Sequence, residues 1–189
     1  TLGSMSTIDF SKFWMLTPVH GPVPSGTFYE LKAYLEHRVG LRSYVLERDS
    51  EVNEARTKLA NLALNGGADI TLWVDSDNVP SASTVLRLLQ LAHETRTPHS
   101  AVYVRQSRLT DDQAQDTRLC LHPEEPGVWD MDNGPGQAVT MVGLGCMAVP
   151  RESYEAIRGV CPHVEFGAGD ERLDGPHWFM PEMRGTRYL

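Results

Sequence analysis

The run Trp73-Val74-Asp75-Ser76-Asp77-Asn78 places two carboxylates one residue apart where the apolar stretch Ile70 to Val74 ends. On a strand, side chains at i and i+2 point to the same side. Both carboxylates would then face one small volume. Two like charges that close raise each other's pKa, and a divalent cation removes that penalty. Mg2+ and Mn2+ favour carboxylate oxygens and bind through one or two of them together with phosphate oxygens. A diphosphate leaving group needs such an ion to neutralise its developing charge. The competing reading is that Asp75 caps the following turn while Asp77 is merely solvated, since Asp, Ser and Asn are common loop residues. An Asp-x-Asp triplet alone is a weak signal; its place at the end of a buried strand strengthens it.

The elements that must position this motif alternate through the first half of the chain. Lys12 to Thr17 is an apolar run ended by Pro18, which reads as a buried strand. Pro22, Pro24 and Gly26 mark a loop, after which Phe28, Leu31 and Leu35 recur at helical spacing up to Gly40. Arg42 to Leu46 reads as a second strand. A helix follows with Ser50 as N-cap, an apolar stripe of Val52, Ala55, Leu59, Leu62 and Ala63, and a stop at Gly66-Gly67. Ile70 to Val74 is the third strand. Pro80 and Ser81 open a helix carrying Val85, Leu88, Leu89 and Ala92, and Ala101 to Val104 is a fourth strand. This order predicts an α/β fold with a mostly parallel central sheet flanked by helices. Such sheets bind ligands beyond the carboxyl ends of their strands, where Pro18-Val19-His20 and Asp75-Ser76-Asp77 fall.

The second half reads differently. Ser107 to Gln137 is polar, without a convincing period, and is expected to be a long irregular or hairpin excursion. Val139 to Val149 is apolar with Gly143 and Gly145 embedded, a short helix spans Arg151 to Ile157, and the stretch after Cys161 reads as loop.

Bulk properties exclude several classes. The 189 residues, 41% hydrophobic and 22% charged, suit one globular domain with its own core. No apolar run approaches the ~20 residues of a bilayer span, and no basic-then-apolar opening suggests a secretory signal. Thr1-Leu2-Gly3-Ser4 before Met5 reads as an expression-vector remnant, leaving 5–189 as a single domain. A net charge of −8 disfavours a nucleic-acid partner, whose affinity rests largely on Lys and Arg. Cys120, Cys146 and Cys161 form no CxxC pair, which argues against a disulfide framework or zinc site and for thiols in a reducing cytoplasm.

Several segments, taken in order, resemble the GT-A fold glycosyltransferases, especially the family 2-like enzymes of bacteria and phages. They are Leu16-Thr17-Pro18-Val19; the helix start Ala55-Arg56-Thr57-Lys58-Leu59-Ala60; Gly67-Ala68-Asp69 leading through Ile70 to Val74 into Asp75-Ser76-Asp77; Val102-Tyr103-Val104-Arg105; and Val142-Gly143-Leu144-Gly145-Cys146-Met147-Ala148-Val149-Pro150-Arg151. The match runs over most of residues 12 to 158. It implies a Rossmann-like GT-A architecture. Thr17, Pro18 and Val19 would line the pocket for a nucleotide base, and Arg56 would lie near the diphosphate. Asp75 would sit by the ribose and metal, and Asp77 would ligate the metal directly. His20, Ser76, Arg105, Gly143 and Gly145 complete the nucleotide-sugar contacts that the resemblance and the loop positions suggest. Thr57 departs from the family's usual Asn. Apart from the resemblance, Arg56 also reads as a surface helix residue pairing with Asp49, Glu51 or Asn53.

An inverting transferase needs a carboxylate to take the acceptor hydroxyl's proton. Asp170-Glu171 is the only adjacent acidic pair after the glycine-containing strand. Either this pair supplies the base, or the base lies beyond Leu189. His163 and His177 flank that stretch as alternatives for a third metal ligand, though a surface or packing role is expected for each. Trp178 and Phe179 are expected in the core rather than stacked on a sugar.

The expected function is therefore a cytoplasmic, Mn2+- or Mg2+-dependent glycosyltransferase. It would move a sugar from a nucleoside diphosphate donor, UDP-linked in preference to GDP-linked, to a hydroxyl acceptor. A nucleotidylyltransferase on a related fold is the second reading, but Thr17-Pro18-Val19-His20-Gly21-Pro22 is not the glycine-rich basic loop it would want. A non-catalytic nucleotide- or carbohydrate-binding module is the third.

Overall fold

The computed structural model describes residues 8–19, 25–47, 52–101, 121–123, 139–142, 144–166, 173–179, 183–184 and 187–188. Strand β1 (Phe13–Val19) is buried along its whole length because both of its faces are covered. Its side chains alternate: Phe13 and Met15 enter one core cluster, Trp14 and Leu16 the other. The first cluster is closed by helix α1 (Gly26–Tyr34) and helix α3 (Ala82–Thr95), through Phe28, Leu31, Val85, Leu88, Leu89 and Ala92. The second is closed by helix α2 (Val52–Asn65) and helix α4 (Arg151–Ile157), through Leu59, Ala60, Ala63, Leu64 and Tyr154. Helices thus cover both faces, as the alternating order predicts.

The helix ends follow local chemistry. Ser25 Oγ accepts the Phe28 N–H at 3.3 Å and Ser81 Oγ the Thr84 N–H at 3.1 Å, each satisfying a donor the helix leaves free. After α1 the chain tightens into a π-helical turn, Leu35–Val39, released by Gly40 at φ 91°.

Among the described residues, five strands form the central sheet in the order β2-β1-β3-β7-β4, with β2 at Arg42–Glu47, β3 at Ile70–Val74, β4 at His99–Ser100 and β7 at Cys146–Pro150. The fold is mixed α/β. Pairings β1–β2 and β1–β3 are parallel, while β3–β7 and β4–β7 are antiparallel. The mostly parallel sheet expected from the sequence is therefore found only in the β2-β1-β3 half. The reason is long-range: β7 arrives from beyond residue 100, runs against both neighbours and inserts between them. The βαβ pattern of the first half carries no trace of that insertion.

Three local expectations are also corrected. Pro18 does not end β1: the strand continues to Val19, paired with β2 alone beyond Leu16↔Trp73, so the missing Pro18 N–H breaks no bond to β3. The fourth strand lies at His99–Ser100 rather than from Ala101, and Val102 to Val104 lie outside the described residues. The stretch after Cys161 is not all loop. His163–Phe166 (β8) and Leu173–Pro176 (β9) pair antiparallel and lie against α2. Two further short pairs, Leu121–Pro123 (β5) with Val139–Val142 (β6), and Met183–Arg184 (β10) with Arg187–Tyr188 (β11), are antiparallel. Apart from Leu121–Pro123, the expected 107–137 excursion lies outside the described residues.

Two polar clusters brace the sheet. At its amino edge Arg96, in the left-handed region at φ 55°, bonds Asp69 at 2.9 and 3.1 Å and also Glu152, and Arg151 donates to the carbonyls of Ala68 and Leu64. The hydrogen bonds from the Arg96 guanidinium hold the Asp69 carboxyl below its ordinary pKa. Inside the second core the Tyr154 hydroxyl accepts the Trp73 indole N–H at 2.9 Å and shares a 2.8 Å bond with Thr71. No helix among the described residues is long and apolar enough to cross a membrane.

Candidate functional site

Strand β3 brings the acidic motif to the carboxyl edge of the sheet, beside the end of β1. There the strand gives way to a turn. The Asn78 N–H donates to the Asp75 carbonyl at 2.9 Å, so Ser76 and Asp77 are the turn's central residues. The strand alternation that would put both carboxylates on one side therefore stops at Val74, and turn geometry sets their relation instead. The turn is fastened to the start of β7: the Gly145 carbonyl accepts the Asp75 N–H at 3.0 Å and the Asn78 side-chain amide at 3.1 Å. Antiparallel pairing of Val74 with Cys146 brings that carbonyl into reach. Asn78 is a fastening residue the sequence reading missed, although its place next to the motif was a usable signal.

Arg56, in the second turn of α2, reaches this turn from the side. Its Nη2 lies 2.9 and 3.1 Å from the two Asp75 carboxylate oxygens. The Arg56 side chain is 16% exposed and that of Asp75 29%, so the pair is largely withdrawn from water. Arg56 Nε is buried and has no hydrogen-bond partner among the described residues. Asp77, in contrast, is exposed. Behind the turn, burial pushes the Cys146 thiol up to about 12, with the Asp75 carboxylate adding to the effect.

The other expected site residues fall as follows. Thr17, Pro18 and Val19 are all buried at the end of β1, and the Thr17 hydroxyl has no partner among the described residues. Ser76 is half-buried in the turn. Gly145 is buried, and its carbonyl is given over to fastening the acidic turn. His20, Arg105, Gly143, Asp170 and Glu171 lie outside the described residues, as do Asp49 and Glu51, which the surface reading offered Arg56.

The histidines and aromatics have other partners. His163 pairs with Asp174 at 2.7 Å across the exposed β8–β9 hairpin. His177 Nδ1 is 3.3 Å from Thr57 Oγ1 on α2. Trp178 donates its indole N–H to Asn61 at 2.7 Å and meets Tyr154 edge-on, and Phe179 meets Trp73 edge-on at 5.2 Å between centroids. Both aromatics are packing residues, as expected. Thr57, the position that departs from the resembled pattern, is fully buried beneath His177.

Among the described residues no three His, Cys, Asp or Glu side chains gather to hold a metal. The turn carries two carboxylates, Asp75 held by Arg56 and Asp77 exposed; Mg2+ and Mn2+ are the ions commonly bound through one or two carboxylates together with phosphate oxygens.

No family model matches the sequence, and no curated protein matches it. Among solved structures, the crystal structure of A197 from STIV is similar with a TM-score of 0.51 at 14% identity, covering 76% of this chain. This chain spans 66% of that one. At such identity the likeness concerns the fold alone.

Proposed function

We propose that this chain is the donor-binding domain of a metal-dependent glycosyltransferase of GT-A type, moving a sugar from a nucleoside diphosphate to a hydroxyl acceptor. One observation carries the reading. The Asp75-Ser76-Asp77 turn sits at the carboxyl end of β3, and Arg56 converges on it from α2. The chain leaves β1 towards β2 and leaves β3 towards β4. The ends of β1 and β3 therefore flank the kind of point at which open α/β sheets hold ligands. There Asp77 and Asp75 would hold Mn2+ or Mg2+, which supplies charge neutralisation for the departing diphosphate. Arg56 would provide a fixed positive charge beside it, and the end of β1 a wall for the base. A UDP-sugar donor, a cytoplasmic setting and a base from Asp170 or Glu171 belong to the same proposal.

The test is a panel of UDP- and GDP-sugars incubated with the protein and Mn2+, read as release of free nucleoside diphosphate and as thermal stabilisation. At least one donor is expected to stabilise the fold in a Mn2+-dependent way. Saturation at about 100 times Kd adds roughly 2.7 kcal/mol. Asp77→Asn should abolish that gain without lowering the melting temperature of the free protein. Metal-independent stabilisation, or none with any donor, would refute the proposal. Stabilisation without turnover, even with added acceptors, would instead favour a binding module.

A further inference from the structure

The Arg56–Asp75 pair raises a question of charge that the proposed function leaves open. A carboxylate expected to meet a metal is already occupied by a guanidinium, with both oxygens within hydrogen-bond distance of one nitrogen. The pair is mostly withdrawn from water, so separating it leaves two poorly solvated charges unless each finds a new partner. A bare divalent cation supplies a partner for Asp75 only. It would strand Arg56, whose Nε already lacks an acceptor among the described residues. A metal carrying a diphosphate supplies both: the cation meets Asp75 and Asp77, and the phosphate oxygens meet the guanidinium. Arginine suits this because its planar fork can exchange one oxyanion for another of similar geometry.

We propose that Arg56 is an internal counterion that holds Asp75 until a metal–diphosphate complex replaces it, so that metal and nucleotide bind cooperatively rather than independently. The inference rests on the function proposed above and adds to it an order of events: metal alone is held weakly, and metal with nucleoside diphosphate is held well. Arg56 is a positioning residue here, acting through Asp75 in the free protein and through the diphosphate in the complex. The device has a simple benefit. Asp75 stays oriented beside the fastened turn without recruiting stray cations.

Titration of Mn2+ alone, and of UDP and GDP with and without Mn2+, tests it in the wild type and in Arg56→Gln. The two affinities should move in opposite directions. Arg56→Gln should bind Mn2+ alone about tenfold more tightly, and should bind nucleoside diphosphate at saturating Mn2+ about tenfold more weakly, each near 1.4 kcal/mol. The coupling between metal and nucleotide is reciprocal and should shrink accordingly. Arg56→Lys, which keeps the charge, should restore weak binding of Mn2+ alone. A purely structural role for Arg56 would lower both affinities together, and that result overturns the proposal. So does Mn2+ binding that is unchanged in Arg56→Gln while Asp77-dependent nucleotide binding persists; that outcome leaves the glycosyltransferase reading standing. Absence of any Asp77-dependent metal or nucleotide binding in the wild type overturns both. Should Arg56→Gln fail to fold, the Arg56 Nε–H resonance of the wild type decides. It is expected to shift with Mg2+ plus UDP or GDP and to stay unmoved by Mg2+ alone, and a shift with Mg2+ alone refutes the exchange.

Discussion

Arg56 and Asp75 stand nineteen positions apart in the chain, on different elements, and meet only because α2 packs beside β3's exit. Each residue is readable as a candidate from its sequence context, but their partnership is not. Asp49 and Glu51, the acidic partners expected close by in sequence, lie outside the described residues, and the partner seen comes from the end of the next strand. The acidic motif itself is legible, because an apolar strand ending in two carboxylates needs no tertiary knowledge to notice. Its geometry is not, since whether Asp77 continues the strand or enters a turn depends on the Gly145 carbonyl, supplied from β7. Cys146, on the neighbouring strand, gives a pH test of this packing. Burial raises its thiol to about 12, above the ~8.5 of an unfolded cysteine. The folded state then holds the proton more tightly. Its contribution to stability is complete below about pH 8.5 and is lost as pH rises towards the folded value. The urea midpoint of the wild type should therefore fall between pH 8 and pH 10 more steeply than that of Cys146→Ala. Equal slopes would place Cys146 in a wetter environment than the one seen here.

At the scale of elements, helices α1 to α4 and strands β2 and β3 emerge from apolar patterning within a residue or two of where the fold puts them, and Ser81 caps α3 as expected, while Ser50 lies outside the described residues. Their apolar stripes are local facts. The β8–β9 pair escapes because each strand is only four residues long and Gly175 and Pro176 read as turn residues, while the support it needs is α2. Asn61 donates its amide to the Pro176 carbonyl at 3.1 Å and accepts the Trp178 indole. A Cβ placed on Gly175 would come within 2.7 Å of that same amide group. Thr57 and Asn61, two buried polar residues four apart on a helix face otherwise apolar, were the available signal. The junction between α2 and β3 is equally close-fitting. A Cβ on Gly66 would stand 2.3 Å from Cη2 of Trp14, a buried ring stacked on Tyr44 at 5.0 Å. Gly66→Ala is expected to destabilise the protein by about 1–3 kcal/mol through overpacking, seen as a lower urea midpoint at unchanged m. A neutral or stabilising effect would mean that Trp14 has room to turn.

For the whole molecule, fold class follows from the order of elements, yet sheet direction does not. A strand inserted late and in reverse between β3 and β4 is invisible to any reading of neighbouring elements. That insertion matters to the site, because β7 supplies the carbonyl that fastens the acidic turn. The likeness to A197 from STIV bears on architecture alone, and the proposed chemistry rests on Asp75, Asp77 and Arg56. The most direct test is crystallographic. Crystals grown or soaked with Mn2+ and UDP or GDP, measured near the manganese absorption edge, should show an anomalous peak bonded to Asp77 and Asp75 oxygens, with the diphosphate against Arg56. A nucleotide bound without manganese at the turn, or manganese bound elsewhere while Asp75 keeps its arginine, would contradict the account.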